Sequence, residues 1–169
     1  VETTKEAIQN LLSVALRFEE LCLICTFPNA DEGGRVIIEE LKQIQQQYPA
    51  KIRLFSSLGQ QRYFAAVRYA QVVIGNSSSG IIEVPSLKVP TVNVGQRQAG
   101  RLAANSVIHC NQSQEAVHAA IQSALQMDCR HIVNPYGDGL VSQRLLSLIK
   151  TVELQCLKVF YDLPVILEH

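Results

Sequence analysis

Short apolar runs that alternate with amphipathic helical stretches constrain the fold of this chain more than any other feature. Runs with strand character lie at residues 21–26, 51–55, 71–74, 89–94 and 106–110. Stretches with helical apolar spacing follow them at 35–48, 60–69, 80–87, 114–127 and 140–157. Strands that alternate with helices, without internal repeats, pack as a parallel sheet covered by helices. We therefore predict an α/β protein with a doubly wound, mainly parallel, Rossmann-like sheet.

The length of the chain predicts one domain. The 169 residues are enough to bury a substantial core, and we assign residues 1–166 to a single domain. Residues 167–169 have the composition of a purification-tag remnant. Because Val1 is not an initiator methionine, we expect the chain to be a fragment of a longer protein.

Charge and cysteine content argue against several classes of partner. The 15 basic and 15 acidic side chains balance, so neither nucleic acid nor a membrane is an expected partner. No apolar run reaches membrane-spanning length and no signal peptide is expected. Five scattered cysteines fit the reduced thiols of a cytoplasmic protein. Cys22 and Cys25 lie three apart in a strand-like run and face opposite sides, so no metal and no cofactor is expected.

A turn rich in serine follows the central strand run and is the leading candidate for a binding site. Residues 75–80 read GNSSSG, and residues 80–87 are predicted to be helical. Backbone N–H groups at a helix N-terminus, together with the hydroxyls of Ser77, Ser78 and Ser79, suit a phosphate group. Glu83 follows about one turn later, where a carboxylate could accept hydrogen bonds from a sugar hydroxyl. The pattern is typical of a nucleotide-diphosphate site with a ribose contact.

Other interpretations of this turn remain open. Serine turns are also ordinary helix N-caps, and on this stretch alone that interpretation is equally good. The spacing from Gly75 to Gly80 resembles a P-loop, but Ile81 and Ile82 occupy the positions of the lysine and the hydroxyl residue. The chain has neither the glycine pattern of a dinucleotide site nor that of a serine-hydrolase nucleophile.

Polar loops after four of the strands are expected to meet at one rim, since ligands bind beyond the carboxyl ends of parallel strands. Arg97 and Arg101 lie four apart and could both contact a diphosphate. The alternative is that these two arginines are solvated or pair with another domain. The polar side chains expected at this rim are Asn29, Asp31, Ser57, Ser77, Ser78, Glu83, Arg97 and Arg101.

The same loops resemble those of a known family. Residues 27–31 (FPNAD), 75–85 (GNSSSGIIEVP) and 91–101 (TVNVGQRQAGR) are similar to the hydrolysing UDP-N-acetylglucosamine 2-epimerases, which make N-acetylmannosamine for sialic acid and related sugars. The resemblance extends in order to about Lys150. The non-hydrolysing branch typically has a His-x-Asn-Pro pattern in the first loop, which this chain lacks. The resemblance implies the C-terminal half of a two-domain, GT-B-like enzyme.

The resemblance also implies roles for individual residues. Ser77 and Ser78 would bind the diphosphate of UDP, Glu83 the ribose hydroxyls, and Arg97 would lie near the diphosphate or the sugar. The remaining implied contacts are the uracil-facing loop Ser57, Leu58 and Gly59, the crevice residue Asn29, and the supporting residues Asp31, Ser79, Gly80 and Arg101.

The implied reaction eliminates UDP from UDP-N-acetylglucosamine and then adds water to give N-acetylmannosamine. The family's acid and base groups belong to the N-terminal domain, so this chain is expected to hold no catalytic residue and to be inactive alone. Three alternatives stay open: a GT-B glycosyltransferase, a hydrolysing epimerase for a UDP-diacetamido-trideoxy sugar, and a noncatalytic module. The absent domain would leave apolar surface exposed, so a homo-oligomer is also expected to be possible.

Overall fold

The computed structural model of this protein describes residues 2–28 and 33–153. The chain divides into two compact units, Val1–Tyr136 and Gly137–His169. The predicted alternation of strands and helices is confirmed. In chain order the elements of the first unit are α1 (Glu2–Ala15), β1 (Leu23–Thr26), α2 (Gly34–Gln47), β2 (Ile52–Phe55), α3 (Gly59–Tyr69), β3 (Val73–Gly75), α4 (Ser79–Ile82), a 3-10 helix (Val84–Leu87), β4 (Thr91–Val94), β5 (Val107–Cys110) and α5 (Gln114–Leu125).

Hydrogen bonds join the described strands into two parallel sheets, where the sequence predicted one. The first sheet pairs β1 with β2, and Leu23 lies opposite Ile52. The second has the order β3-β4-β5, with Val73 opposite Thr91. Although residues 21–26 are mostly apolar, β1 is not buried on both faces, because Ile24 is 57% exposed. A two-stranded sheet that one helix covers keeps one face open, and this explains the alternating burial along β1.

The largest core cluster lies between β4 and the two helices α1 and α5. Val92 and Val94 of β4 pack there against Val14, Val117 and Ile121. Burying a valine or isoleucine side chain stabilises the fold by about 1.5–3 kcal/mol each. This packing fixes β4 as the central strand of the second sheet. The loop that leaves the end of β4 therefore starts from a rigid support.

The helix predicted over residues 80–87 is interrupted at Glu83. The structure has the four-residue helix α4 and, after Glu83, a four-residue 3-10 helix. Pro85 lies in the first turn of the 3-10 helix. Proline lacks the N–H that would bond to residue i−4, so an α-helix could not continue through this position.

A polar contact joins α1 to α2. Glu40 of α2 is 8% exposed and accepts hydrogen bonds from Gln9 at 2.8 Å and from Lys5 at 2.9 Å. The hydrogen bond from Gln9, then the one from Lys5, lowers the pKa of the Glu40 carboxyl. The charged carboxylate is thus the form that the folded chain favours at this helix pair.

The second unit contains α6 (Val141–Thr151). The helix predicted at 140–157 thus ends at Thr151, and residues 154–157 of that prediction lie outside the described residues. Before this helix, Asp138 accepts a hydrogen bond from the backbone N–H of Leu140 at 3.0 Å and pairs with Arg144 at 2.6 Å. The hydrogen bond from Arg144 lowers the pKa of Asp138. Among the described helices, none combines the length and hydropathy needed to cross a bilayer. The predicted tag remnant lies outside the described residues.

Candidate functional site

The serine turn leaves β3 through Gly75 and enters α4. Gly75 has a φ of 149°, which a glycine adopts more readily than other residues. Ser78 occupies the N-cap position, but its side chain makes no capping hydrogen bond. The Ser77 hydroxyl accepts a long contact of 3.4 Å from the N–H of Ser79. Capping therefore uses little of the hydrogen-bonding capacity of these two hydroxyls.

Part of the backbone at this turn is already committed. The N–H groups of Gly80 and Ile81 donate to the carbonyls of Ser77 and Ser78, at 3.2 and 3.0 Å. The expectation that the amides at this helix start are uncommitted is wrong for these two. A phosphate group at this turn would depend on the hydroxyls of Ser77 and Ser78 more than the sequence suggested.

Ser79 and Gly80 support the turn from the protein side. The hydroxyl of Ser79 forms a 2.7 Å hydrogen bond with the hydroxyl of Tyr63 in α3. Gly80 is buried against β4: a Cβ atom there would lie 2.7 Å from Cγ2 of Thr91. The Thr91 hydroxyl donates to the Gly80 carbonyl at 2.9 Å. These two residues fix α4 to its neighbours.

The loop after β4 contacts the serine turn directly. Gln98 is 4% exposed, and its side-chain amide donates a 2.9 Å hydrogen bond to the carbonyl of Asn76. The side-chain oxygen of Gln98 is buried without a partner among the described residues. Arg97 and Arg101 are exposed in the same loop. The structure therefore brings the arginine loop and the serine turn together, as the parallel strands predicted.

Glu83 lies at the end of α4 with an exposed side chain. Its N–H donates to the carbonyl of Ser79 at 2.9 Å, and its own carbonyl accepts from the N–H of Ser86 at 3.0 Å. The backbone of Glu83 is thereby held by both short helices. Its side chain is exposed, five residues after Ser78 along the chain.

The loop after β2 belongs to the first sheet. Ser57 accepts a 3.2 Å hydrogen bond from the N–H of Gly59, which has a φ of 64°. Leu58 is half-buried at the start of α3, while Ser57 and Gly59 are exposed. Asn29 and Asp31, also predicted for the rim, lie outside the described residues.

Three polar residues that the sequence did not single out support the site. Tyr63 forms a hydrogen bond with the Ser79 hydroxyl, and Gln98 donates one to the Asn76 carbonyl. Asn134 donates to the carbonyl of Ile82, the residue before Glu83. A polar residue in a helix, loop or turn gives no signal of a long-range contact with another loop, so only the fold reveals these roles. Within residues 2–28 and 33–153, no cluster of three or more His, Cys, Asp or Glu side chains is arranged to hold a metal ion.

Comparison with known proteins identifies the family. The model of the UDP-N-acetylglucosamine 2-epimerase family matches residues 1–150. A hydrolysing GDP/UDP-N,N'-diacetylbacillosamine 2-epimerase of Campylobacter jejuni is 42% identical over 108 residues, which cover 64% of this chain and 28% of the relative. The hydrolysing UDP-N,N'-diacetylbacillosamine 2-epimerase of Legionella pneumophila is 34% identical over 91% of this chain and 40% of its own length. Polysialic acid biosynthesis protein P7 of Escherichia coli is 33% identical over 96% and 43%.

Solved structures share the fold. UDP-GlcNAc 2-epimerase from Methanocaldococcus jannaschii superposes with a TM-score of 0.65 at 17% identity, over 86% of this chain and 41% of that one. A putative UDP-N-acetylglucosamine 2-epimerase from Listeria monocytogenes gives 0.68 at 18% identity, over 87% and 40%. At these identities the likeness shows the fold alone, and the predicted Rossmann-like, GT-B-type fold class is confirmed.

This chain spans less than half the length of the relatives that it matches. The family model nevertheless matches through residue 150, and its match contains both the serine turn and the arginine loop. The chain belongs to the UDP-N-acetylglucosamine 2-epimerase family, as the resemblance predicted.

Proposed function

We propose that this chain is the UDP-binding part of a hydrolysing UDP-N-acetylglucosamine 2-epimerase. The observation that carries the proposal is the hydrogen bond from Gln98 to the Asn76 carbonyl, which joins a loop with two arginines to the serine turn. In that turn the Ser78 hydroxyl makes no capping bond and the Ser77 hydroxyl accepts only a long one. Hydroxyl donors and guanidinium groups at one edge of a sheet suit a diphosphate. Family membership supports the uridine diphosphate identity of that ligand.

Each part of UDP has a proposed contact. The diphosphate binds the hydroxyls of Ser77 and Ser78, with Arg97 close to the diphosphate or the sugar. Glu83 is assigned to the ribose hydroxyls, because its carboxylate is exposed and pairs with no cation in the ion pairs of the described residues. The uracil lies near Ser57, Leu58 and Gly59, and Asn29 lines the crevice. Asp31, Ser79, Gly80 and Arg101 support the site.

The proposed reaction proceeds in two steps. A base removes the proton from C2 of the sugar while the C1–O bond breaks, so that UDP leaves with the bonding electrons and a C1–C2 double bond forms. Water then adds across this bond, with its hydroxyl on C1 and a proton on the opposite face of C2. The products are UDP and free N-acetylmannosamine. The serine hydroxyls and Arg97 would stabilise the negative charge that develops on the departing diphosphate.

The acid and base groups are assigned to the part of a family-length protein that this chain does not span. In a GT-B arrangement the sugar lies between two domains, and the nucleotide lies mainly against one of them. We therefore propose that this chain binds UDP but does not turn over UDP-sugar without that other part. We propose an N-terminal domain of the same polypeptide as the partner of this chain. Self-association is the alternative way to cover the exposed surface of the chain. The free thiols of the described residues support a reducing, cytoplasmic setting.

A second candidate substrate is a UDP-diacetamido-trideoxy sugar. The relatives from Campylobacter jejuni and Legionella pneumophila are named for N,N'-diacetylbacillosamine, whereas the Escherichia coli relative is named for polysialic acid biosynthesis. Both substrates carry the same UDP group. The contacts proposed here would therefore serve either one, and the distinction rests on groups around the sugar.

Titration of the chain with UDP, followed by NMR, tests the proposal. We expect saturable shifts at the amides of Ser77, Glu83 and Arg97. Ser78→Ala should weaken binding, whereas Ser123→Ala, an exposed serine of α5 whose hydroxyl bonds only within its own helix, should not. If saturating UDP moves none of the three amides, the proposal is wrong and a noncatalytic module becomes the better interpretation. Release of free N-acetylmannosamine by a family-length protein would then separate an epimerase from a glycosyltransferase.

A further inference from the structure

One side chain, that of Asn134, contacts residues on both sides of Glu83. The side-chain amide nitrogen of Asn134 donates to the Ile82 carbonyl at 2.8 Å and to the Ser86 hydroxyl at 2.7 Å. Ile82 is the residue immediately before Glu83, and Ser86 is in the first turn after it. Asn134 lies 52 residues from Ile82 along the chain, so these contacts fix Glu83 against a distant segment.

The orientation of the Asn134 amide is determined by its surroundings. Its side-chain oxygen accepts a 3.0 Å hydrogen bond from the N–H of Tyr136. An amide oxygen can only accept, so the nitrogen must face the Ile82 carbonyl, which can only accept as well. Both hydrogens of the amide are therefore used in the contacts with α4 and the 3-10 helix.

The segment that carries Asn134 has a second attachment to the same region. The ammonium group of Lys88, just after the 3-10 helix, donates to the carbonyl of Ile132. Lys88 has a φ of 59°, a left-handed conformation that is uncommon for a residue other than glycine. Residues 132–136 thus contact Ile82 and Ser86 on either side of Glu83, and also the side chain of Lys88 at the end of the 3-10 helix.

The two short helices depend on such contacts. Each has four residues, and helices of this length are not stable through their own hydrogen bonds. The junction between the two short helices is residues 81–84, and its inner side packs into the protein through the fully buried Ile81 and Val84. Glu83 lies between them with its side chain exposed. On the outer side, Asn134 restrains the backbone next to Glu83 through its hydrogen bond to the Ile82 carbonyl.

We propose that Asn134 is a positioning residue that orients Glu83 toward the ribose hydroxyls of a bound nucleoside diphosphate. This inference rests on the proposed function, since it needs Glu83 to contact ribose. Asn134 itself touches no ligand. It limits the rotation of the α4–Glu83–3-10 junction, so that the carboxylate is held in place before the ligand arrives. Loss of the amide donor should therefore weaken recognition of ribose and leave recognition of diphosphate largely intact.

The experiment compares two ligands that differ only in the groups that Glu83 would contact. UDP and 2′,3′-dideoxyuridine diphosphate are titrated by calorimetry into the wild-type chain, Glu83→Gln and Asn134→Asp. Asn134→Asp keeps the oxygen that accepts from Tyr136 and removes the donor. The charge that it adds acts equally on both ligands, because both carry the same diphosphate. The readout is the ratio of the two dissociation constants.

We expect the wild-type chain to prefer UDP by about tenfold, as for a hydrogen bond to a charged group. Asn134→Asp should reduce this preference to about threefold or less, and Glu83→Gln should nearly abolish it. Combining the two substitutions should add little to Glu83→Gln alone, since both act through one contact. Ser86→Ala removes one acceptor of the Asn134 amide without adding charge, so it should also reduce the preference for UDP. This variant replaces Asn134→Asp in the experiment if Asn134→Asp does not fold.

Asn111→Asp is the matched control. The Asn111 side-chain oxygen accepts from the N–H of Ser113 at 2.9 Å, in the same two-residue arrangement as Asn134 with Tyr136. This control should keep the wild-type preference. The inference is overturned if Asn134→Asp retains the full preference, or if it weakens both ligands by the same factor. A wild-type chain that binds neither ligand would instead overturn the proposed function, and one that binds both equally would overturn the role of Glu83.

Discussion

The side-chain amide of Gln98 donates a 2.9 Å hydrogen bond to the backbone carbonyl of Asn76. The two residues lie in loops that follow the neighbouring strands β4 and β3. Gln98 is almost fully buried there, so water cannot replace this contact without rearrangement of the loop. The hydrogen bond makes the serine turn and the arginine loop one surface.

Gln98→Met should separate these two loops. Methionine keeps the length of the side chain but has no donor, which leaves the Asn76 carbonyl without its partner. We expect a loss of about 1–3 kcal/mol in the free energy of unfolding and weaker binding of UDP. Chemical denaturation and calorimetry measure the two effects. Gln96→Met, at an exposed position of the same loop, is the control, and equal behaviour of the two variants would contradict the contact.

Gly80→Ala should destabilise the fold through a steric overlap. The added Cβ would lie 2.7 Å from Cγ2 of Thr91, and overpacking of this kind costs about 1–3 kcal/mol. Denaturant unfolding measures the loss. Thr91→Ser removes the overlapping methyl group and keeps the hydroxyl that bonds to the Gly80 carbonyl. The double variant should therefore recover part of the stability that Gly80→Ala loses; no recovery would place the strain elsewhere.

Glu83→Gln should weaken UDP by about fivefold or more and leave inorganic pyrophosphate nearly unchanged. The carboxylate would contact ribose, which pyrophosphate lacks. Competition binding with both ligands measures the difference. Glu39→Gln, an exposed position of α2, is the control for loss of one negative charge. Equal losses for UDP and pyrophosphate would exclude a ribose contact.

Acid should destabilise the α1–α2 pair through Glu40. Hydrogen bonds from Gln9 and Lys5 lower the pKa of Glu40 below its ordinary value of 4.5. A carboxyl whose pKa is lower in the folded state stabilises the fold above its unfolded-state pKa, and this stabilisation disappears as the pH falls through the folded-state pKa. The free energy of unfolding, measured from pH 7 downward, should fall less steeply in Glu40→Gln than in the wild-type chain. Ser123→Ala, which alters no ionisable group, should follow the wild-type curve.

Cys22 and Cys25 should differ in reactivity. Burial raises the pKa of the Cys25 thiol to about 11, whereas Cys22 is exposed. The thiolate is the reactive form, so at pH 8 only about a thousandth of Cys25 would be thiolate. We expect iodoacetamide to modify Cys22 much faster, as followed by mass spectrometry in the Cys22→Ser and Cys25→Ser variants. The difference should disappear in denaturant; if it persists, burial is not its cause.

Apolar spacing was sufficient to predict the long elements of this fold. The helix predicted at 60–69 is α3, and the one predicted at 114–127 ends two residues earlier in α5. α5 buries four apolar residues on one face, whereas α3 buries Val67 with Tyr63 partly buried against the same cluster. These inward apolar positions are what the spacing reports. The strand predicted at 71–74 begins two residues later, at Val73. Strand ends depend on which neighbour supplies hydrogen bonds, and a single sequence does not contain that information.

The sequence predicted that the two loops of the site meet, but it did not predict the residues that support them. The serine turn and the arginine loop meet because the strands before them are parallel neighbours, and the apolar runs implied this. The long helix predicted through Glu83 was wrong, although Pro85 was a signal against it. Asn134 could not be assigned from the sequence, because its partners Ile82 and Ser86 become its neighbours only when the chain folds.

One face of β4 carries valines and the other carries polar side chains, and this difference specifies the register of β4 in the second sheet. Val92 and Val94 pack into the core beside α1 and α5, while Thr91 bonds to α4 and Asn93 contacts His109 at 3.0 Å. A slip of one residue would turn hydroxyl and amide groups into the core and valines toward the serine turn. The alternation of polar residues with valine in the four residues of β4 therefore encodes the register of this strand. The register in turn determines where along the sheet the arginine loop begins.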